Sequence, residues 1–420
     1  MKNMKRILSL ALVLALSASA LTGCGGGDES ASSSNPAGSD ASSSQQTEQL
    51  DLSEITDPYL ATSGLSGDTV VARVGDNDVT AADLLYWINY GTELYIVTSG
   101  ATSVTDLPWD TDLGGGVTLA DQLKQSALDA AAFYALLPTV AQQEGLTVSQ
   151  ETMTSLEDQR AQILEQLGGD ETILEHYFWY QMLTWDQMST MSQRSDLHLQ
   201  LQELYYGPDS GNYPTDAEVL AYAQDELGVY RAKHILLMTI DPTTGEALDD
   251  ATIAEKRAQA DDLLAQLRAA EDPVALFDEL MNEYSEDPGL AAYPDGYTTY
   301  TGQMVPAFEE AALALKDGEI SDVVYNESTG YHIIMRLPLD PADYRDQLVA
   351  QLMQTRTDGW LEEYGVETTD AYDQIDPVSF RDQVVLLQNA VVTEVNAVLE
   401  AQQAAESDSS SGSSSSSQAG

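Results

Sequence analysis

The spacing of hydrophobic positions changes several times along the chain, and each change marks an element. From Val70 to Gly75 the period is two, with Val70, Ala72 and Val74 on one side and Val71, Arg73 and Gly75 on the other, which predicts a strand. Asp76-Asn77-Asp78 supplies a turn, and Thr80 stands where it can cap a helix through Leu84, Leu85, Trp87 and Ile88. Gln122 to Glu144 reads as a second helix, so apolar from Leu128 to Val140 that burial on most sides is expected. Pro138 is expected to kink or split it, because proline has no N–H to donate and its ring crowds the preceding turn. Gly145 stops that helix. Val148 to Leu167 predicts a further helix, and Thr172 to Ser189 another, rich in tyrosine and tryptophan.

A different pattern follows. Pro214-Thr215-Asp216-Ala217-Glu218 starts a helix, and Tyr230 to Ile240 then alternates as a strand with His234 and Leu236 on one face. Asp249 or Asp250 can cap a helix carrying Ile253, Ala260, Leu263, Leu264 and Leu267. Asp272-Pro273 begins a shorter helix through Leu280, and Pro306 opens a third that ends at Asp317-Gly318. Two strands, Ser321 to Tyr325 and Thr329 to Leu337, close around Asn326-Glu327-Ser328, with His332 and Ile334 sharing a face. Residues 230–340 thus read as an α+β unit, a small sheet packed by helices. Amphipathic helices are expected again over Tyr344 to Tyr364 and Pro377 to Ala405.

The two ends carry no such periodicity. Lys2, Lys5 and Arg6 precede an apolar run from Ile7 to Ala20, the form of a signal segment. Leu21-Thr22-Gly23-Cys24 resembles the lipobox of bacterial lipoproteins, which implies cleavage before Cys24, lipid on that residue and an extracytoplasmic protein held on the membrane. No later segment offers about 18 uninterrupted apolar residues for a second span. Residues 25–66, rich in Gly, Ser, Asp and Gln, are expected to form a flexible tether, and the serine-rich tail from Ser407 to Gly420 to be disordered.

Charge narrows the partners. There are 17 basic residues against 69 acidic ones, a formal net charge of −52, so the basic patch that a nucleic-acid partner needs is missing. With one cysteine the chain cannot form an internal disulfide. Asp110 to Gly115 hints at a calcium loop but departs from it at its fifth position and at its twelfth, where Asp121 stands, so calcium is left as an alternative; no metal site and no cofactor is otherwise expected. Trp87, Tyr177, Phe178, Trp179, Tyr180 and Trp185 read first as core, with a subset beside a groove as the alternative.

Two of the four histidines bracket residues 231–338, in Arg231-Ala232-Lys233-His234-Ile235-Leu236-Leu237 and Gly330-Tyr331-His332-Ile333-Ile334. Between them lie Gly302-Gln303-Met304-Val305-Pro306-Ala307-Phe308-Glu309-Glu310-Ala311 and Gly318-Glu319-Ile320-Ser321. In this order and spacing the segments resemble a parvulin-type peptidyl-prolyl isomerase. The flanking pattern, Val-Ala-Arg-Val-Gly-Asp before a helix and Glu-Gly-Leu-Thr-Val-Ser after one, resembles the chaperone region of PrsA/SurA-type foldases. The resemblance implies an α+β fold in which a parvulin-like domain (229–340) is inserted in a mainly α-helical chaperone domain. That domain would comprise 67–228 and a returning segment, 341–405, with 1–23 as signal, 24–66 as tether and 406–420 as tail.

Residue by residue, the resemblance implies that His234 and His332 hydrogen-bond beneath the pocket, with Asp287 facing the imide and Thr329 as a nearby hydroxyl. Met304 and Phe308 would floor a proline pocket, Gln303 would bond the client backbone, and Tyr297 would wall the pocket in part. Where many members read Gly-Gly-Asp-Leu-Gly-x-Phe, this chain has Pro294-Asp295-Gly296-Tyr297-Thr298-Thr299. Thr239 to Asp250 contains no Lys or Arg, so selectivity for phosphoserine-proline is not expected. The implied function is a membrane-anchored isomerase and chaperone for unfolded secreted polypeptides, with a non-catalytic holdase as the alternative and a homodimer left open.

Overall fold

The computed structural model describes residues 50–412, and side chains as far as Ala404. The signal segment and Cys24 therefore lie outside the described residues. In chain order the elements are α1 (Pro58–Ser63), β1 (Val70–Val74), β2 (Asn77–Thr80), α2 (Ala81–Ser99), α3 (Leu119–Gln143), α4 (Gln150–Gln166), α5 (Glu171–Trp179) and α6 (Trp185–Tyr206). Next come α7 (Asp216–Ala221), β3 (Val229–Met238), α8 (Asp250–Ala269), α9 (Pro273–Tyr284), β4 (Tyr297–Tyr300), α10 (Pro306–Ala314), β5 (Val324–Asn326) and β6 (Gly330–Leu337). The chain ends with α11 (Arg345–Tyr364), β7 (Val366–Thr368), α12 (Asp370–Asp373) and α13 (Pro377–Gly412). Contacts divide the described residues into two compact units, one of residues 50–210 and 353–412 and one of residues 211–352.

The first unit is mainly helical around a three-stranded antiparallel sheet of order β2-β1-β7. β1 takes the ladder bonds of β2 on one edge and of β7 on the other, so residues almost 300 positions apart share one strand: Thr369 N donates to Val71 O at 2.9 Å. The core includes Leu84, Leu85 and Ile88 of α2, Leu136 and Leu137 of α3, and Phe380, Val384 and Leu387 of α13. Each such side chain contributes about 1.5–3 kcal/mol by leaving water. Trp87, Phe178 and Trp179 belong to this core, whereas Tyr180 is 45% exposed. By length and composition Pro377–Ala404 is apolar enough to cross a membrane. Its core-facing row (Phe380, Val384, Leu387, Val391, Val395) packs in the helical unit instead.

Several expectations change here. The last part of the tether, residues 50–66, is folded: Asp57 caps α1 by accepting from Tyr59 N and Leu60 N, and buried Tyr59 donates from its hydroxyl to Met182 O at 3.1 Å. The serine-rich tail continues α13 as far as Gly412, because a helix already propagated adds residues more easily than a new one starts. Pro138 neither splits nor ends α3, and it sits on the exposed side of that helix, in line with other exposed positions such as Gln142. The aromatic segment is two helices rather than one. Met182 takes a left-handed conformation with φ 57°, and Thr184 and Gln187 form a capping box that starts α6.

The second unit holds a four-stranded antiparallel sheet of order β4-β3-β6-β5. β3 pairs with β6 over eight residues, placing Leu236 opposite His332 and His234 opposite Ile334. Side chains alternate across the sheet, so the odd-numbered Ile235, Leu237, Ile333 and Met335 face α8 and α9. The other face carries Tyr230, Ala232 and Ile334 against Phe308 and Ala312 of α10. Both histidines fall on that second face, as diagonal neighbours.

One buried cation ties the helical unit together. Arg381, 1% exposed, donates to Asn89 Oδ1 and, at 2.5 Å, to Glu93 Oε1. Arg381→Ala leaves the buried Asn89 Oδ1 unpaired beside a cavity while the half-exposed Glu93 turns to water, and should cost about 3 kcal/mol. The check is a lower urea midpoint for loss of tertiary signal from this unit.

Candidate active site

The register of β3 and β6 brings the paired histidines together: His332 Nδ1 lies 3.3 Å from His234 Nδ1, with ring centroids 5.1 Å apart. At the other side of His332, Nε2 is 2.7 Å from Thr329 Oγ1. Thr329 is in place because Asn326 Oδ1, at the β5–β6 turn, accepts from Ser328 N and Ser328 Oγ. Thr239 N also donates to Thr329 O, fixing the turn against the end of β3.

Asp287 arrives from the loop after α9. That loop is tied to β3 twice: Leu236 N donates to Ser285 Oγ at 3.1 Å, and Glu286 N to Leu236 O at 2.8 Å. The carboxylate then meets His234 Nε2 at 3.1 Å through Oδ2, close but not aligned as a hydrogen bond. Tyr297 at the start of β4 donates its hydroxyl to the same oxygen at 2.5 Å, and Gly289 N donates to Oδ1 at 3.0 Å. The result is one polar row, Thr329–His332–His234–Asp287–Tyr297.

Phe308 packs against this row from α10, its ring 5.2 Å from that of His234 and 5.7 Å from that of His332, each close to edge-on. It is only 2% exposed, while Met304 is half-buried and Gln303 exposed. Gln303 accepts a long 3.5 Å bond from Thr299 Oγ1 and otherwise faces solvent. All seven of His234, Asp287, Tyr297, Met304, Phe308, Thr329 and His332 thus belong to one sheet face and its covering loop and helix, with Gln303 beside them. The hydroxyl bond of Tyr297 was not anticipated from sequence. The one hint was a tyrosine ten residues after Asp287 in the segment that departs from the family pattern. Among the described residues no group of histidine, cysteine and carboxylate side chains is arranged to hold a metal.

Electrostatics follow from this geometry. Burial pushes the Asp287 carboxyl up, but His234, the Tyr297 hydroxyl and the Gly289 N–H together outweigh it and hold the carboxyl down at about 2. Burial, and secondarily the charge of His234, push His332 down to about 3 against the opposing pull of Asp287. Burial and the Asp287 acceptor push the Tyr297 phenol upward. Asp287 is therefore an anion at neutral pH and faces His234 Nε2 at 3.1 Å. With His332 neutral, Thr329 donates to its Nε2 and its Nδ1 carries the proton that faces His234 Nδ1. The shorter Thr329 contact, 2.7 Å against 3.2 Å to Asn326, takes the hydroxyl proton.

Residues 234–337 match the rotamase family, described as the PPIC-type PPIase domain. The first and last of these residues fall in β3 and at the end of β6, so the match spans the site and its sheet. The chain is similar to Chaperone SurA of Alkalilimnicola ehrlichii, 34% identical over 32% of this chain and 30% of that one. It is also similar to Foldase protein PrsA of Geobacillus kaustophilus, 32% identical over 37% of this chain and 53% of that one. The chain thus spans about a third to a half of the length of these relatives. Among solved structures, the peptidylprolyl isomerase PrsA of Bacillus cereus is 18% identical, covering 65% of this chain and 96% of its own, with a TM-score of 0.27. The α+β fold with a parvulin-like domain agrees with the expectation from the sequence.

His332 supplies a pH test. Its folded value lies below the ordinary 6.5, so the unfolded chain binds the proton more readily and stability falls as pH drops from about 6.5 toward 3. Asp287, lowered from 3.8, contributes stability above that value which is lost as pH falls through about 2. The unfolding midpoint should therefore decrease from pH 7 to pH 5, and His332→Gln should flatten that slope. Imidazole ¹⁵N shifts should show wild-type His332 neutral at pH 5, and a protonated ring there would contradict the assignment.

Proposed function

We propose that the chain is a peptidyl-prolyl cis/trans isomerase and chaperone that acts on unfolded or partly folded secreted polypeptides. The observation that carries this reading is the polar row of Thr329, His332, His234 and Asp287 laid against Phe308, within the residues that match the PPIC-type domain. The reaction needs no covalent step. Rotation about an X-Pro bond is opposed by amide resonance, a barrier of roughly 20 kcal/mol. Resonance separates charge toward the carbonyl oxygen, so an apolar surface at the imide disfavours the planar form relative to the twisted one.

In this reading Met304 is the accessible part of the proline floor, and Phe308 supports it from below. Tyr297 offers its ring as wall, and Gln303 bonds the client backbone. His234 and His332 hold the shape of the pocket rather than transfer protons. The second reading, a holdase without turnover, draws support from the replaced wall at Gly296 to Thr299 and from how little of Phe308 is exposed. The similarity to a foldase and to a chaperone supports client binding under either reading. Anchoring through lipid on Cys24, which would place the protein outside the cytoplasm on the membrane, rests on the lipobox-like Leu21-Thr22-Gly23-Cys24 alone.

The full chain should accelerate isomerisation of a proline tetrapeptide in a protease-free exchange assay, and a rate equal to the uncatalysed one would favour the holdase. Met304→Ala combined with Phe308→Ala should lower kcat/KM at least tenfold, through loss of apolar surface at the imide. For the anchor, the native host should incorporate labelled fatty acid into the wild type and not into Cys24→Ala. Labelling of both would remove Cys24 as the site.

A further inference from the structure

We propose that Tyr297 is a positioning residue whose hydroxyl clamps the Asp287 carboxylate, and through it the Nε2 edge of His234, beneath the bound proline. The inference rests on the isomerase reading for its consequence, and on the geometry alone for the clamp. Asp287 Oδ2 is shared by two partners of unequal quality. The His234 contact, 3.1 Å, is not aligned as a hydrogen bond, so the ring alone does not fix the carboxylate. The Tyr297 hydroxyl, 2.5 Å away, is a charge-assisted bond of the strong kind. Only the Gly289 N–H, at 3.0 Å, holds the other oxygen.

The surroundings are shaped around that hydroxyl. A Cβ at position 289 would overlap the Tyr297 hydroxyl and lie 3.4 Å from Asp287 Oδ1, so the loop needs glycine there for close approach rather than for its backbone angles. Tyr297 is itself fixed from two sides. It pairs with Ala232 of β3, two residues before His234, and its ring packs against that of Tyr293, centroids 4.9 Å apart and planes tilted by 38°. The titratable groups around the carboxylate are His234, His332, Tyr297 and, behind the last, Tyr293. The phenol thus couples wall and carboxylate: its ring can border the client proline while its hydroxyl holds the anion that orients His234.

Tyr297→Phe separates these roles, because it keeps the ring and deletes the donor. Gly289→Ala disturbs the same contact by displacing the hydroxyl without deleting it. In the full wild-type chain at neutral pH, proton NMR should show a downfield hydroxyl resonance that is lost in Tyr297→Phe and shifted upfield in Gly289→Ala. Turnover at saturating proline peptide, read by exchange spectroscopy, should show kcat down about tenfold in Tyr297→Phe with KM within about twofold. Tyr297→Leu should raise KM as well. Wild-type kcat in Tyr297→Phe, or no downfield resonance in the wild type, would overturn the clamp. If the wild type shows no turnover, the isomerase reading falls, while the resonance and its response to Gly289→Ala still decide whether the clamp exists.

Discussion

The antiparallel register between β3 and β6 is the constraint on which the site depends. Eight consecutive pairs fix Leu236 opposite His332 and His234 opposite Ile334, and a slip of one residue would send every side chain of one strand to the other face. Two imidazoles that are 98 residues apart in sequence meet only because this register holds. Gly330 marks its end. At φ 143°, it lies so close to the backbone of Leu237, Met238 and Thr239 that a side chain there would collide with the neighbouring strand. Glycine at this point lets Thr329 turn inward while the ladder continues.

Once the sheet is fixed, the remaining parts are placed by short loops rather than by the ladder. Ser285 and Glu286 clip the loop after α9 to β3, which delivers Asp287 to His234. Ser321 does the corresponding work on the other strand, its hydroxyl accepting from Ile334 N at 2.9 Å. Pro306 starts α10 so that Phe308 and Ala312, one turn apart, close over the histidine face. The site is thus a rigid sheet face with three attachments, consistent with a reaction that requires shape and a low-polarity surface more than mobile acid and base groups.

Much of this was legible in the sequence, for identifiable reasons. Period-two alternation put His234 with Leu236 and His332 with Ile334, and Asp-Pro and proline starts marked α9 and α10. What escaped was determined by contacts that no local pattern encodes. β4 is only Tyr297 to Tyr300, and β7 only Val366 to Thr368, each too short to show alternation and each defined by a partner strand. The hydroxyl bond of Tyr297 joins a strand to a loop, and no spacing rule predicts it. α1 hides in a polar segment because a single buried tyrosine, placed by an aspartate cap and a proline, is enough to seat a six-residue helix. The break at Met182 was likewise invisible, since helix-forming residues surround it on both sides.

The β1–β7 pairing also sets an order of events. β1 lies at residues 70–74 and β7 at 366–368, with the whole of the second unit, 211–352, threaded between them. A chain made from its N-terminus presents β1 and β2 early, yet leaves one edge of β1 without its partner until all of the inserted unit has emerged. α13 arrives later still, so the aliphatic surfaces of α2, α3 and α5 wait longest for cover. The inserted unit, whose contacts close within its own stretch, has everything it needs sooner. During its own synthesis the helical half is therefore the part that must tolerate exposed apolar surface.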